Sequence, residues 1–206
     1  MRLLLASNNR HKLHEIAILL APHRIQLPSD IGVEFSHDEN EDTFLENAVG
    51  KAMHLYNITG QPTLADDSGL MVDALGGVPG VHTARYGEDI FNRELTSVEK
   101  YMYLLEEMKH VRQPDRSARF VCTLALVLSQ DRIFTVQETV EGSIAEQPFG
   151  LGGFGYDPVF IVHGGTRTMA AMTDSEKNHL SHRGRAARRM LAIIQSVESE
   201  EQFYVC

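Results

Sequence analysis

The sequence predicts an α/β fold: an elongated mixed sheet with flanking helices and, if the chain forms two lobes, a cleft where its polar motifs converge. Three observations predict it. Short β-like and helical segments interleave in the N-terminal third, a long apolar hairpin dominates the middle, and an amphipathic helix closes the chain. With 206 residues and 43% hydrophobic content, the chain can bury a substantial core as a single domain over 1–206. No linker or composition shift marks a boundary between lobes.

Leu3 to Ala6 reads as a short buried strand. Leu13, Ile16, Ala17 and Leu20 then recur at helical spacing until Pro22 ends the helix. Thr43 and Glu46 form a capping-box pattern that starts a second helix at Phe44, running to about Tyr56. Thr63 to Ala65 is the next strand, feeding a turn at Asp66-Asp67. Gly76-Gly77-Val78-Pro79-Gly80 is loop by composition, and Leu95, Val98, Met102, Leu105 and Met108 mark the apolar face of a third helix. Phe120, Cys122, Leu124, Leu126 and Leu128 alternate through a strand. Gln130-Asp131 turns that strand into Ile133–Glu141, giving a hairpin. Val159 to Val162 is a further strand. The last helix carries Ala186, Met190, Ile193 and Val197 on one face, with Arg185, Arg188 and Arg189 open to solvent.

A formal net charge of −9 argues against a protein that grips nucleic-acid backbone, so any anion must be met by a locally basic, metal-assisted pocket. Cys122 and Cys206 give neither a disulfide framework nor a CxxC site. His23, His163 and the other histidines lack ligand spacing, so no zinc site is expected. Leu3 to Ala6 is too short for a signal-peptide core, and no apolar run is long enough to span a bilayer. A cytoplasmic protein without a membrane partner is expected.

The chemistry concentrates in three distant segments. Asp66-Asp67-Ser68-Gly69 places adjacent carboxylates after an apolar strand, which suits a Mg²⁺ that keeps most of its waters and borrows substrate phosphates as ligands. Successive strand residues face opposite ways, so one acid faces the metal and the other braces the turn; spacing does not say which. One member of the acidic run Asp38-Glu39-Asn40-Glu41-Asp42 could add a second metal carboxylate, although most of that run reads as a solvated loop. Ser7-Asn8-Asn9-Arg10-His11-Lys12 lies between a strand and a helix, where backbone amides and the helix dipole favour phosphate; its ordinary reading is an N-cap loop with an exposed lysine. Gly150 to Gly155 formally matches GxGxxG, but Tyr156-Asp157-Pro158 and a strand follow instead of a helix, so it is not a dinucleotide fingerprint. Phe154 there offers a face for a base, and Asp157 either fixes the loop or bonds the ligand. His182 and Arg183 open the last helix with donors for base oxygens or phosphate, and Lys177 lies just upstream. A helix start with surface basic residues is the ordinary alternative.

Together these segments resemble the inosine triphosphate pyrophosphatase, or Ham1-like, family. The matching residues are Ala6-Ser7-Asn8-Asn9 with Lys12 and Glu15, Thr43 to Ala48 with Lys51-Ala52, and Ala65 to Leu70. Pro79-Gly80-Val81 with Ala84-Arg85-Tyr86, Gly152 to Pro158, Glu176-Lys177 and Ser181 to Ala186 continue the match in order. The resemblance implies an elongated α/β fold in two lobes around a central substrate cleft, and a homodimeric, Mg²⁺-dependent hydrolase of dITP, ITP or XTP, yielding the monophosphate and pyrophosphate. By position, Ser7, Asn8, Asn9, Arg10, His11 and Lys12 would bind phosphates, with Lys51 adding charge. Asp67 would be the catalytic carboxylate and a metal ligand, Ser68 would touch substrate, and Glu39 would be the second metal ligand. Phe154, Gly155, Tyr156 and Asp157 would hold the base and sugar region, completed by Lys177, His182 and Arg183. Two departures stand out: Glu41 occupies a position where the family often has glycine, and Ser7 stands where many members have Thr, which keeps the hydroxyl. The tail Glu200 to Cys206 also runs past the usual last helix.

The expected reaction is attack of water on the α-phosphorus with pyrophosphate leaving. Lys12 and Lys51 or Lys177 would share the electrostatic work with the metal, and Asp67 would orient or deprotonate the water. Two alternatives stay open: a Maf-like nucleotide pyrophosphatase with another base preference, and a non-catalytic nucleotide sensor.

Overall fold

The computed structural model describes residues 1–203, with side chains through Glu200. Strands β1 (Arg2–Leu5), β2 (Arg24–Gln26), β3 (Thr63–Val72), β4 (Ser117–Ser129), β5 (Arg132–Ile144) and β6 (Phe160–Val162) form one sheet in the order β2-β1-β3-β4-β5-β6. β1 is parallel to both β2 and β3, while β5 and β6 are antiparallel. The sheet is therefore mixed. The helices are α1 (Arg10–Leu19), α2 (Phe44–Thr59), α3 (Glu88–Phe91), α4 (Ser97–Glu107), α5 (Asp174–Leu180) and α6 (His182–Phe203).

The chain divides into two compact units. Unit 1 comprises Met1–Asp67, Cys122–Glu138 and the chain from Arg183 on; unit 2 comprises Ser68–Val121 and Thr139–His182. Unit 1 holds two apolar clusters. One joins Leu3 and Leu5 of β1 to Ile16 and Leu20, to Leu124 and Leu126 of β4, and to Met190 and Ile194 of α6. The other packs Ala48, Ala52 and Leu55 of α2 against Leu4, Ala65, Ala125 and Val127. β4 thus buries both faces inside this unit, so its run is almost continuously apolar instead of alternating with polar residues. Unit 2 has its own core of Leu70, Val72, Leu104, Met108, Phe120, Val140, Val159 and Phe160.

Capping sets the helix starts. Thr43 accepts from Glu46 N and donates its hydroxyl to the Glu46 carboxylate at 2.7 Å. Complete capping boxes open α4 (Thr96 with Glu99) and α5 (Thr173 with Glu176).

Two expectations need correcting, and two are sharpened. Asp66-Asp67 is no turn: β3 continues through both acids, and Gly69 does not adopt a left-handed conformation. Each carboxylate finds a buried cationic partner, so neither needs to leave the strand for water. On α4 the buried side is Leu104 with Met108 and the partly buried Tyr101 and Leu105, whereas Val98 and Met102 are 55% and 50% exposed. On α6, Ile194 is buried in the core, and Ile193 packs against it half-buried. α6 also persists to Phe203, so the start of the tail is helical; Tyr204 to Cys206 lie outside the described residues.

Candidate active site

In unit 1, β3 carries the two acids to opposite partners, as strand alternation requires. Asp66 is fully buried. Its carboxylate receives Lys12 Nζ at 2.7 Å, Arg183 Nε at 2.7 Å and Nη2 at 3.4 Å, with Cys122 Sγ at 3.5 Å. Burial opposes its ionisation, but the Arg183 and Lys12 charges more than offset this and hold the carboxyl well below the usual range. Arg183 Nη1 reaches Glu15 at 2.6 Å, so three nitrogens of its fork face carboxylates.

Asp67 lies on the other side. Its Oδ1 accepts from Lys51 Nζ at 3.1 Å, and Lys51 also pairs with Glu39. Lys51 and Lys12 both donate to the Asp66 carbonyl, at 3.0 and 3.1 Å, which gathers their ammonium groups around one peptide. Asp67 Oδ2 is buried with no hydrogen-bond partner. Burial pushes the Asp67 pKa up; Lys51 pulls against this, Glu39 reinforces it, and the net shift is upward. Burial would lower the Lys51 pKa, yet Asp67 and Glu39 hold it above its ordinary value. The loop bearing Glu39 is pinned by the buried Asn47 amide, which donates to Glu41 O at 3.1 Å and accepts from Glu41 N at 3.2 Å. The pinning uses only Glu41 backbone atoms, so the missing family glycine does not disturb it.

The Ser7–Lys12 loop caps α1. Asn9 Oδ1 accepts from His11 N at 2.9 Å and Lys12 N at 3.2 Å, and Ser7 Oγ accepts from Asn9 N at 3.0 Å. Two amides that the sequence offers to a phosphate are thus already met by the cap. Asn8, Arg10 and His11 are exposed. Asn8 donates to Phe35 O and lines a cavity of about 490 Å³ with Ser29, Gly32, Val33, Glu34 and Phe35.

Unit 2 holds a second polar cluster. Asp157 Oδ2 accepts from Phe154 N at 2.7 Å and from Lys177 Nζ at 2.6 Å, and that ammonium stands 4.7 Å from the Phe154 ring centroid. Of the two roles open to Asp157, the loop-fixing one is therefore filled. Gly153 lets it happen: its φ is +67°, and a Cβ there would sit 2.0 Å from Asp157 Oδ2. Tyr156 is buried, donates to Thr83 O at 3.3 Å, and has a pKa raised by burial. Gly155 and Ser68 are half-buried. His182 is buried and stacks on Phe120, with centroids 4.7 Å apart and planes 12° from parallel.

The sequence pattern assigns no role to Glu15, Asn47 or Phe120. Glu15 was detectable as an acid three residues after Lys12, on the same helix face. The contacts of Asn47 and Phe120 depend on tertiary packing and leave no local signal. Among the described residues, no group of three or more His, Cys, Asp or Glu side chains is arranged to hold a metal. Nor, among the described residues, is any helix long and apolar enough to cross a membrane.

Residues 3–193 match the Ham1 family. A dITP/XTP pyrophosphatase of Treponema denticola is 49% identical over 186 residues, 90% of this chain and 94% of that protein. One from Bacillus licheniformis is 43% identical over 93% of this chain and 96% of its own length. Among solved structures, a HAM1 protein from Coxiella burnetii aligns with a TM-score of 0.84 at 36% identity, covering 95% of this chain and 99% of that one. Sequence and architecture agree over nearly the whole length: the chain belongs to the Ham1 family.

Proposed function

We propose that this chain is a Mg²⁺-dependent nucleoside triphosphate pyrophosphatase that hydrolyses dITP, ITP and XTP to the monophosphate and pyrophosphate. It would thereby remove non-standard purines from the cytoplasmic nucleotide pool. The observation that carries the reading is Asp67 itself. One of its oxygens is held by Lys51, and the other is buried with no hydrogen-bond partner.

Such an oxygen suits a hard cation that takes one or two carboxylates and fills its shell with water and phosphate oxygens. Asp67 and Glu39, both paired with Lys51, would hold it. When bound, Mg²⁺ would supply Lewis-acid neutralisation of the triphosphate. Asp67 would orient the attacking water and take its proton as the oxygen adds to the α-phosphorus and the bond to pyrophosphate breaks. Beside the cation Asp67 would stay ionised and only modestly basic, so its orientation of the water would carry more of the effect than proton abstraction. Lys12 and Lys51 would meet the negative charge of the phosphates, with Ser7, Asn8, Asn9, Arg10, His11 and Ser68 around them.

In unit 2, Phe154 with Gly155 and Tyr156 would support the base, and Lys177 and His182 would present donors to a 6-oxo group. Adenine would place its amino donor against those donors. Arg183 would act indirectly, because its fork is engaged by Asp66 and Glu15. A homodimer belongs to the same proposal, supported by the exposed apolar side chains of Ile90, Phe91, Val98 and Met102 in unit 2.

A release assay over dITP, ITP, XTP, the standard triphosphates and pyrimidine analogues, with and without Mg²⁺, tests the reading. The 6-oxo purines should be preferred over ATP by about tenfold or more, with pyrophosphate as product and no turnover without metal. Preference for a pyrimidine, or binding without turnover, would overturn it.

A further inference from the structure

Asp66, Arg183, Glu15 and Lys12 form an alternating chain of charges that no step of the proposed reaction uses as such. Lys12 and Glu15 are three residues apart on α1 and share a face. Asp66 stands on β3, and Arg183 near the start of α6. The sequence of contacts is Lys12 to Asp66 (2.7 Å), Asp66 to Arg183 (2.7 Å) and Arg183 to Glu15 (2.6 Å). Two positive and two negative charges thus alternate, and both ends return to one helix face. The middle is dry and the ends are nearly so: Asp66 and Arg183 side chains are 0% and 3% exposed, Glu15 12% and Lys12 17%.

A lysine ammonium is a compact charge on a flexible stem, and a lone buried carboxylate would draw it in completely. Here Asp66 is shared. Arg183 competes for the same carboxylate, which loosens the hold on Lys12, and Glu15 balances the second positive charge so that Arg183 does not take Asp66 entirely. Lys12 Nζ is thereby held by two acceptors, the Asp66 carboxylate and carbonyl. Three N–H donors are available on an ammonium, so one remains for a phosphate oxygen.

We infer that Glu15 is a positioning residue for the reaction, setting through the Arg183 side chain and Asp66 where Lys12 stands at the phosphate end. The inference rests on the proposed pyrophosphatase activity and on Lys12 meeting phosphate there. Glu15→Gln keeps the shape and removes one charge, leaving Arg183 to lean on Asp66 and shift Lys12.

The test is a double-mutant cycle in the full chain. Glu15→Gln should lower kcat for dITP about tenfold with little change in KM, because misplaced charge is felt most in the transition state. In a Lys12→Ala background the same substitution should change kcat less than about twofold, since the residue it positions is gone. A calorimetric titration with inorganic pyrophosphate repeats the cycle without turnover, and weakening by Glu15→Gln should likewise vanish once Lys12 is alanine. Equal losses in both backgrounds, or no loss in either, would overturn the inference. If Glu15→Gln does not fold, Glu15→Asp, which keeps the charge on a shorter arm, carries the same cycle. A wild-type protein that binds pyrophosphate but turns over no nucleotide would refute the activity, and the binding cycle would still decide the coupling.

Discussion

In the proposed reaction Asp67 would meet two demands that pull its carboxylate in opposite directions. Catalysis would want an anion with one oxygen uncommitted, while burial makes that anion costly. The native pKa lies above its unfolded value, so the native state binds the proton more tightly than the unfolded chain does. The ionised carboxylate therefore reduces stability at neutral pH; the reduction fades as pH falls through the native pKa and is gone below the unfolded pKa. Asp67→Asn should cut turnover by about a hundredfold or more. It should also raise the thermal midpoint at pH 7, by an amount that shrinks toward pH 4. Melting curves at the two pH values check this; a variant less stable than wild type at pH 7 would show that Lys51, and not burial, governs Asp67. Asp66 obeys the reverse sign, although the two acids are neighbours on one strand. Adjacency of the pair was legible in the sequence and so was its facing of opposite sides. Which acid was braced was not, because that is decided by Lys12, Arg183 and Lys51 arriving from other elements.

At the scale of elements, legibility follows how local the determining interaction is. The capped start of α2, the β4–β5 hairpin and the first residues of α6 are set by neighbours in sequence and lie where the pattern puts them. β3 was truncated in the sequence reading because two acids and a glycine look like a strand end to any local rule; only buried cations keep that strand going. α4 shows another limit. Its apolar residues cover two faces, and periodicity alone grouped Val98 and Met102 with Leu105 and Met108, whereas the core of unit 2 takes Met108 with Leu104 and leaves Val98 and Met102 exposed. Ile90 and Phe91 are exposed like Val98 and Met102, and the proposed homodimer gives these side chains a purpose. In the same stretch Arg93 pairs with Glu99 and Lys100 with Glu88, so these charges are balanced within the chain and do not oppose the approach of a second copy. Met102→Asp combined with Ile90→Asp should convert a dimer to a monomer in sedimentation without lowering the thermal midpoint of the monomer by more than a few degrees, about what surface changes cost. A wild type that sediments as a monomer, or a dimer indifferent to both changes, would reject that surface.

For the whole molecule, the notable fact is that unit 1 is assembled from three stretches far apart in the chain, and Asp66 stands where all three meet. β3 supplies the carboxylate, Cys122 comes from the second stretch and Arg183 from the third. Removing one partner of a buried, hydrogen-bonded ion pair costs about 3–5 kcal/mol, because the other charge stays buried without compensation. Asp66→Asn should therefore destabilise the protein by roughly that amount at pH 6. The pH dependence follows from the depressed native pKa. Above the unfolded pKa, near 3.9, the carboxylate is ionised in both states and its stabilisation is complete. Below that value the unfolded chain takes up a proton that the native chain refuses, and about 1.4 kcal/mol is lost per pH unit until the native pKa is reached. The gap between wild type and Asp66→Asn should thus be constant from pH 7 to about 5 and close steadily from about 4 to 3. Denaturant unfolding of both proteins across that range measures the gap directly. A gap that closes already between pH 7 and 5 would mean that Asp66 is protonated in the native protein near neutrality, and that Arg183 and Lys12 do not hold it as an anion.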